Sequence, residues 1–186
     1  MARELWRREF AQVAASSLVF LDESAAKTNL TRLRGRAPRG ERVNDHAPAG
    51  HWGTTTIIGS VRLDGTTACM TIQEATDTEV FRAYVQHVLL PTLKPGDVVI
   101  LDNLSPHKHP ETARLVEQAG ARVRYLPPYS PDLNPIEKMW SKVKAALRSD
   151  KARTQPALEA AIACALAAIT SADAIGWFAS CDYSII

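Results

Sequence analysis

The sequence predicts an α/β fold: a mixed β-sheet of about five strands, with an antiparallel hairpin at one edge, a parallel core and helices on both faces. Residues 17–21 and 98–101 are short, continuously apolar runs, as expected of parallel strands buried on both faces. The β-branched stretch 54–63 leads into Asp64-Gly65 and a second strand-like stretch, which indicates a hairpin. Helical patterns alternate with the later strands, and this order favours a parallel core.

The elements follow in a simple order along one domain of 186 residues. We expect a helix over 2–15, a strand ending at Asp22, a loop to about residue 50, and the hairpin strands 54–63 and 66–73. A helix over 78–93, a strand at 98–101, a helix over 110–118 and a strand at 122–126 come next, followed by helices over 135–149 and 155–169. The expected division is an N-terminal helix and linker (1–17), a main domain (18–150) and a C-terminal helical extension packed on it (151–186).

The positive charge is concentrated in two segments, although the net charge is only +2. Residues 27–42 carry six basic side chains against one acidic, and residues 134–153 carry six against two. Such segments point to anionic partners, most commonly nucleic acid, whereas the alternative is a solvated charged surface. The candidates for phosphate contacts are Arg32, Arg34, Arg36, Arg39, Lys138, Lys142 and Lys144.

Several classes of protein are disfavoured by the composition. The three cysteines are odd in number and lack C-x-x-C spacing, which indicates reduced thiols in a cytosolic or nuclear setting. Neither the cysteines nor the histidines have the spacing of a zinc site. No signal peptide or membrane-spanning stretch is recognised, so we expect a soluble protein with no membrane partner.

Two aspartates follow the apolar strands directly, Asp22 after 17–21 and Asp102 after 98–101. In open α/β sheets, sites form beyond the carboxyl ends of the strands, so parallel neighbours would place both carboxylates at one edge. Two nearby carboxylates repel each other unless a cation lies between them, and oxygen-only ligands suit Mg²⁺ or Mn²⁺. An Asp at the end of a strand is also often a turn former or a helix cap. For either aspartate alone, this alternative is as well supported as a metal ligand.

Glu137 is the candidate for a third carboxylate, and it has two interpretations. In the first, Asn134 is the N-cap of a helix, Pro135 its first residue, and Glu137 completes a capping box. In the second, Glu137 faces a metal ion at the end of the sheet and completes a site for two ions about 4 Å apart. The buried stripe predicted for this helix is Ile136, Trp140, Val143 and Leu147, and Glu137 stands beside it.

Three motifs together resemble the catalytic domain of DDE transposases, in the branch that unites mariner-like elements with related bacterial insertion sequences. They are VFLDES around Asp22, LDN around Asp102, and LPPYSPDLNPIE ending at Glu137. Between Asp102 and Glu137 lie 34 residues, the spacing typical of that branch. The long third motif carries most of the resemblance, which covers the chain from about Leu18 to beyond Leu147.

The resemblance implies a ribonuclease H-like fold in which Asp22, Asp102 and Glu137 bind two divalent metal ions, Mg²⁺ or Mn²⁺. It implies hydrolysis of a DNA phosphodiester at an element's end, followed by attack of the freed 3′-OH on target DNA. Asn103 and His107 follow Asp102 and are auxiliary candidates for a phosphate contact or for ordering the loop; a hydrogen-bonded turn with Pro106 is the alternative. Glu23 is expected to point to the opposite face of its strand.

The resemblance also implies partners. Relatives carry helix-turn-helix modules before the catalytic domain, and residues 1–17 leave no room for one. Three alternatives follow: a catalytic half with a separately encoded helix-turn-helix part, an excised domain, or a truncated relic. We further expect a dimer on DNA and a bacterial cytoplasmic location associated with the nucleoid. Two alternatives remain at this point: another nuclease on the same fold, and a non-catalytic DNA-binding or assembly protein derived from a truncated transposase.

Overall fold

A five-stranded mixed sheet forms the centre of the computed structural model, which describes residues 2–46, 48–73, 75–103 and 109–185. The strands are β1 (Leu18–Lys27), β2 (Thr54–Arg62), β3 (Thr67–Ile72), β4 (Val98–Leu101) and β5 (Arg122–Tyr125), in the spatial order β3-β2-β1-β4-β5. Pairing is antiparallel among β1, β2 and β3, and parallel for β1 with β4 and for β4 with β5. The predicted mixed sheet is therefore confirmed, with the hairpin at one edge and the parallel strands at the other.

Six α-helices are described around the sheet. They are α1 (Ala2–Phe10), α2 (Thr78–Tyr84), α3 (Pro110–Gln118), α4 (Pro135–Asp150), α5 (Gln155–Ala167) and α6 (Ser171–Ala179). One face of the sheet packs against α1, α4, α5 and α6, and the other packs against α2 and α3. Helices therefore cover both faces, as predicted.

The side chains of β1 alternate between these two cores, because successive residues of a strand point to opposite faces. Leu18, Phe20 and Ala26 lie in the core under α4, whereas Val19 and Leu21 lie in the core under α2. All five are almost fully buried. Asp22 falls in the first set by parity, and this places its side chain on the α4 side.

Three elements end more than two residues from their predicted ends. β1 does not end at Asp22 but continues to Lys27, because β2 pairs with it along its whole length. α1 ends at Phe10 rather than at residue 15. The helix predicted over 78–93 is regular only to Tyr84, continues as a π-helical turn over Val85–Leu89, and closes as a 3₁₀ turn that contains Pro91. Helix α6 was not predicted at all.

The helices of the C-terminal segment pack on α4. Phe178 of α6 and the following Tyr183 contact the ring of Phe20 in β1, with ring centroids 5.2 and 5.0 Å away. The proposed division of the chain at residues 17/18 and 150/151 stays a prediction. Within the described residues no single helix is long and apolar enough to cross a membrane; α5 and α6 satisfy that criterion only as a pair, bent by 76°.

Candidate active site

The first two predicted carboxylates lie at matching positions of neighbouring parallel strands. The parallel register pairs Leu18 with Val98 and Phe20 with Ile100. Asp22 lies two residues after Phe20, and Asp102 lies two residues after Ile100. The two aspartates therefore occupy equivalent positions along neighbouring strands, at the carboxyl edge of the sheet. The structure therefore brings together the two aspartates in the way the sequence predicted, although Asp22 lies inside a longer strand.

The cross-strand partner of Asp22 is Gly59 of β2, and that of Glu23 is Ile58. A Cβ atom added at Gly59 would meet the Trp140 ring of α4, whereas Ile58 belongs to the core under α2. Paired residues of an antiparallel ladder project to the same face. Asp22 thus faces α4 and Glu23 faces away from it, as predicted.

Glu137 lies in the first turn of α4, which crosses the same face of the sheet. The predicted stripe of α4 is buried, and Met139 belongs to it as well. Glu137 itself is exposed at the edge of that stripe. The helix therefore presents this carboxylate to the carboxyl edge of the sheet while its apolar side packs on β1 and β2.

The N-terminus of α4 does not use the predicted capping box. Asn134 is the N-cap residue, yet its side chain makes no capping hydrogen bond. The backbone N–H of Asn134 donates to the carbonyl oxygen of Pro131 at 3.1 Å, in the 3₁₀ turn Pro131–Leu133. Because this N–H is already paired, it does not need the Glu137 carboxylate as an acceptor. The side-chain capping interpretation of Asn134 and Glu137 is therefore wrong, and the Glu137 carboxylate has no hydrogen-bond or ion-pair partner among the described residues.

One cleft joins the three carboxylates. It has a volume of about 440 Å³, and its described lining includes Asp22, Asp102 and Glu137. The wall opposite the strand ends is the proline-rich turn 126–131, followed by Asn134. Asp22 is only 8% exposed, Asp102 is partly buried and Glu137 is exposed, so the cleft runs from the sheet edge to solvent.

The donor set of the cleft fits hard divalent cations. Its described lining offers carboxylate, amide and hydroxyl oxygens and contains neither His nor Cys, a chemistry that suits Mg²⁺ or Mn²⁺ better than Zn²⁺. The described residues contain no group of three His, Cys, Asp or Glu side chains already close enough to hold an ion. Carboxylates repel one another without a cation, so an open arrangement is expected before ions bind.

Asn134 contributes a further unusual feature to this cleft. The residue is only 4% exposed, and its Oδ1 atom has no hydrogen-bond partner. A buried amide oxygen without a donor is unfavourable. The sequence predicted that this amide would cap the helix, and no local pattern indicates that its oxygen would be buried without a donor.

The turn between β5 and α4 is held from outside by α1. The Arg3 guanidinium donates to the backbone oxygen of Tyr129 at 3.3 Å, and its two terminal nitrogens bind the Asp132 carboxylate. The Arg3 guanidinium lowers the pKa of Asp132. Tyr129 is 98% exposed and adopts a left-handed backbone conformation with φ of 55°. The LPPYSPDLNPIE motif that forms this turn was recognised in the sequence, but no sequence pattern predicted its contacts with Arg3 of α1.

Of the auxiliary candidates, Asn103 lies within the described residues and His107 lies outside them. The Asn103 amide donates to the carbonyl oxygen of Leu126 at 3.2 Å. This bond ties the segment after β4 to the start of the proline-rich turn. Asn103 thus has a loop-ordering contact, one of the two roles predicted for it.

The candidate DNA-contact residues lie in two places. Arg32, Arg34 and Arg36 line a surface hollow together with Lys151 from the end of α4, and Arg39 is exposed in the same loop. The loop is attached to the end of α4, because Arg153 donates to the carbonyl oxygens of Thr28 and Leu30 at 2.9 and 2.8 Å.

The three lysines of α4 differ in their contacts. Lys144 stands two turns after Glu137 on the same side of the helix. Lys142 instead binds the Asp173 carboxylate and the carbonyl oxygen of Ala168, so it links α4 to the α5–α6 connection. Lys138 and Lys144 are partly exposed with no partner among the described residues.

A family model described as "DDE superfamily endonuclease" matches residues 17–159, which include the three carboxylates and the whole sheet. The chain belongs to this DDE endonuclease family. The predicted resemblance is thereby confirmed, and the match ends before α6 and the C-terminal residues.

Solved structures similar to this DDE endonuclease chain share its ribonuclease H-like fold. The Mos1 mariner paired-end complex with Mn matches with a TM-score of 0.73 at 15% identity, covering 97% of this chain and 57% of the other. The catalytic domain of Mos1 mariner transposase matches with a TM-score of 0.65 at 14% identity, over 96% and 84%. The catalytic core domain of BIV integrase matches with a TM-score of 0.53 at 17% identity, over 81% of each chain.

The DDE endonuclease chain spans a little over half the length of the Mos1 chains in the DNA complexes. At these identities the likeness establishes the fold. No curated protein sequence matches the chain significantly.

Proposed function

We propose that this chain is the catalytic domain of a DDE transposase: a divalent-metal-dependent DNA endonuclease and strand transferase. The observation that supports it most directly is the convergence of Asp22, Asp102 and Glu137 on one cleft at the carboxyl edge of the sheet. The family match makes phosphodiester chemistry the expected use of such a cleft. A similar structure is the Mos1 transposase paired-end complex with the left transposon end, and we extend that substrate class to this chain.

In this proposal the three carboxylates hold two Mg²⁺ or Mn²⁺ ions. When bound, such ions lower the pKa of the attacking water and stabilise the charge that develops on the phosphate. Asp22, buried in β1, supplies the rigid side of the site, and Glu137, exposed on α4, supplies the side that approaches from the turn. Two divalent ions carry four positive charges, and the three carboxylates carry three negative ones. The loaded site would therefore be cationic, which favours binding of an anionic phosphate diester.

The reaction proposed for this cleft has two steps. Water attacks the phosphodiester at an element's end and releases a 3′-OH. That 3′-OH then attacks a phosphodiester of target DNA, so one bond forms as another breaks and no covalent intermediate with the protein is required. The exposed Arg32, Arg34, Arg36 and Arg39 and the partly exposed Lys138 and Lys144 are proposed to bind DNA phosphates without reading sequence.

The proposed partners follow from the same reaction. Recognition of element ends is assigned to a helix-turn-helix part, and joining two ends calls for a dimer on DNA. The proposed location is the bacterial cytoplasm, at the nucleoid. Lys142 is left out of the DNA surface because its ammonium is bound within the fold.

The test is nicking of a supercoiled plasmid that carries the inverted repeats flanking the reading frame, with Mg²⁺ or Mn²⁺. Asp22→Asn, Asp102→Asn and Glu137→Gln should each lower the rate by at least about a hundredfold, as expected when a group that stabilises the transition state is lost. Glu23→Gln is the matched control, because it removes the next carboxylate of β1 on the opposite face of the sheet. Equal nicking by all variants would refute the catalytic assignment. Binding without metal-dependent nicking would favour the non-catalytic alternative.

A further inference from the structure

Tyr183, near the C-terminus, contacts both the strand that carries Asp22 and the turn that leads to Glu137. The residue is 5% exposed and follows α6, beyond the part of the chain matched by the family model. Its hydroxyl donates to the carbonyl oxygen of Leu133 at 2.8 Å. Leu133 ends the 3₁₀ turn that leads into α4, four residues before Glu137.

The ring of Tyr183 packs on the strand that carries Asp22. Its centroid lies 5.0 Å from that of Phe20, two residues before Asp22 on the same face of β1. Phe10 and Phe178 also contact the ring, with centroids 6.3 and 6.1 Å from that of Tyr183. The side chain is therefore fixed against β1 through its ring and against the turn through its hydroxyl.

The direction of the hydroxyl proton is also fixed. Trp6 of α1 donates its indole N–H to the Tyr183 oxygen at 3.0 Å, so the phenolic proton is left to point at Leu133. Burial raises the pKa of Tyr183 above its usual range, so the phenol stays a neutral donor at ordinary pH. A donor held in this way fixes the distance between β1 and the 3₁₀ turn that ends at Leu133.

We propose that Tyr183 is a positioning residue that sets the separation of the Asp22 and Glu137 carboxylates and thereby the affinity of the cleft for divalent ions. This inference rests on the proposed function. Tyr183 touches neither metal nor DNA in this account; it acts through Leu133 and Phe20. The C-terminal segment would then be part of the active-site scaffold of this chain.

The test compares Tyr183→Phe with a matched control, Tyr84→Phe. Tyr84 is also buried and also donates to a backbone carbonyl at 2.8 Å, that of Ala68, but it lies in the core under α2. Both variants should lose thermal stability: Tyr84→Phe because the Ala68 carbonyl loses a donor, and Tyr183→Phe by more because the Leu133 carbonyl and the Trp6 N–H both lose a partner. Only Tyr183→Phe should weaken Mn²⁺ binding, measured by calorimetry, by about tenfold, the lower end of the effect of outer-shell substitutions.

A second readout does not depend on metal. The Asn134 amide donates to Pro131 of the turn, and the Glu137 amide donates to Asn134 at the start of α4. Hydrogen exchange of both amides should accelerate in Tyr183→Phe but not in Tyr84→Phe. If Tyr183→Phe does not fold, Trp6→Phe removes the N–H that orients the hydroxyl and should accelerate the same exchange.

The outcomes separate the two proposals. Equal Mn²⁺ affinities in the two tyrosine variants, or unchanged exchange at Asn134 and Glu137, would overturn the positioning role. If the wild-type chain binds no Mn²⁺, the proposed function fails, and the exchange measurement alone decides whether Tyr183 holds the turn.

Discussion

The Trp140 ring of α4 occupies the space where a side chain at Gly59 would stand. A Cβ atom at position 59 would lie 2.9 Å from Cη2 of Trp140 and 2.6 Å from Sγ of Cys69. Gly59 is the cross-strand neighbour of Asp22, and Trp140 follows Glu137 by about one helical turn. The contact between glycine and indole therefore determines how closely the helix that carries Glu137 approaches the strand that carries Asp22.

Replacement of Gly59 should disturb both the fold and the site. We expect Gly59→Ala to lower the free energy of unfolding by about 1–3 kcal/mol, the usual effect of overpacking a core. Gly176→Ala is the control, because a methyl group there meets nothing within 4 Å and the residue lies inside α6. That variant should gain up to about 1 kcal/mol from higher helix propensity. Urea denaturation measures both, and equal values would contradict the packing role of Gly59.

Replacement of Asn134 tests whether its buried amide contributes to folding. The side chain makes no capping bond and its Oδ1 is unpaired, so Asn134→Ala should change the free energy of unfolding by less than the ~1 kcal/mol typical of a lost cap. Asp77→Ala is the matched control, because the Asp77 carboxylate does accept from the N–H of Val80 at 2.8 Å. It should show the full loss. A larger loss for Asn134→Ala than for Asp77→Ala would refute this description of the α4 N-terminus.

The connection between α5 and α6 should give a pH-dependent contribution to stability. The pKa of Asp173 falls from 3.8 to about 2, first because Lys142 donates to its carboxylate and then because Thr170 does. A carboxylate whose pKa is lower in the folded state stabilises the protein above its unfolded pKa. The stability difference between wild type and Asp173→Asn should therefore be constant above pH 4 and vanish as pH falls towards about 2.

Thermal denaturation of both proteins between pH 2 and pH 6 measures that difference. Lys142→Met should reduce it, since the first cause of the shift is then absent. A difference between wild type and Asp173→Asn that persists unchanged at pH 2 would show that the ion pair and cap do not stabilise the fold as described.

The sequence allowed the sheet and the placement of Asp22 and Asp102 on neighbouring parallel strands to be predicted, because both depend on local pattern. Glu137 was selected from its place at a predicted helix start and from the long motif of the family resemblance. The full length of β1 was missed because residues 24–27, Ser-Ala-Ala-Lys, have little strand propensity of their own, and pairing with β2 overrides this. Helix α6 begins with a capping box formed by Thr170 and Asp173. This pattern is visible in the sequence, but the helix was not predicted from it.

Other features had no local signal at all. The contacts of Arg3 with Asp132 and of Tyr183 with Leu133 join residues 129 and 50 positions apart. The incorrect capping box at Glu137 has a different cause. The 3₁₀ turn before α4 satisfies the N–H of Asn134 through a backbone bond, which side-chain patterns do not reveal.

Asp22, Asp102 and Glu137 are proposed to hold divalent ions together, and anomalous diffraction from crystals soaked in Mn²⁺ shows where such ions bind. We expect anomalous peaks in the cleft between β1 and the start of α4, within coordination distance of these carboxylates, about 2.1 Å for a hard cation of this size. The peaks should weaken or vanish in Glu137→Gln and persist in Glu23→Gln. Fully occupied manganese sites elsewhere on the protein, with none in this cleft, would contradict it.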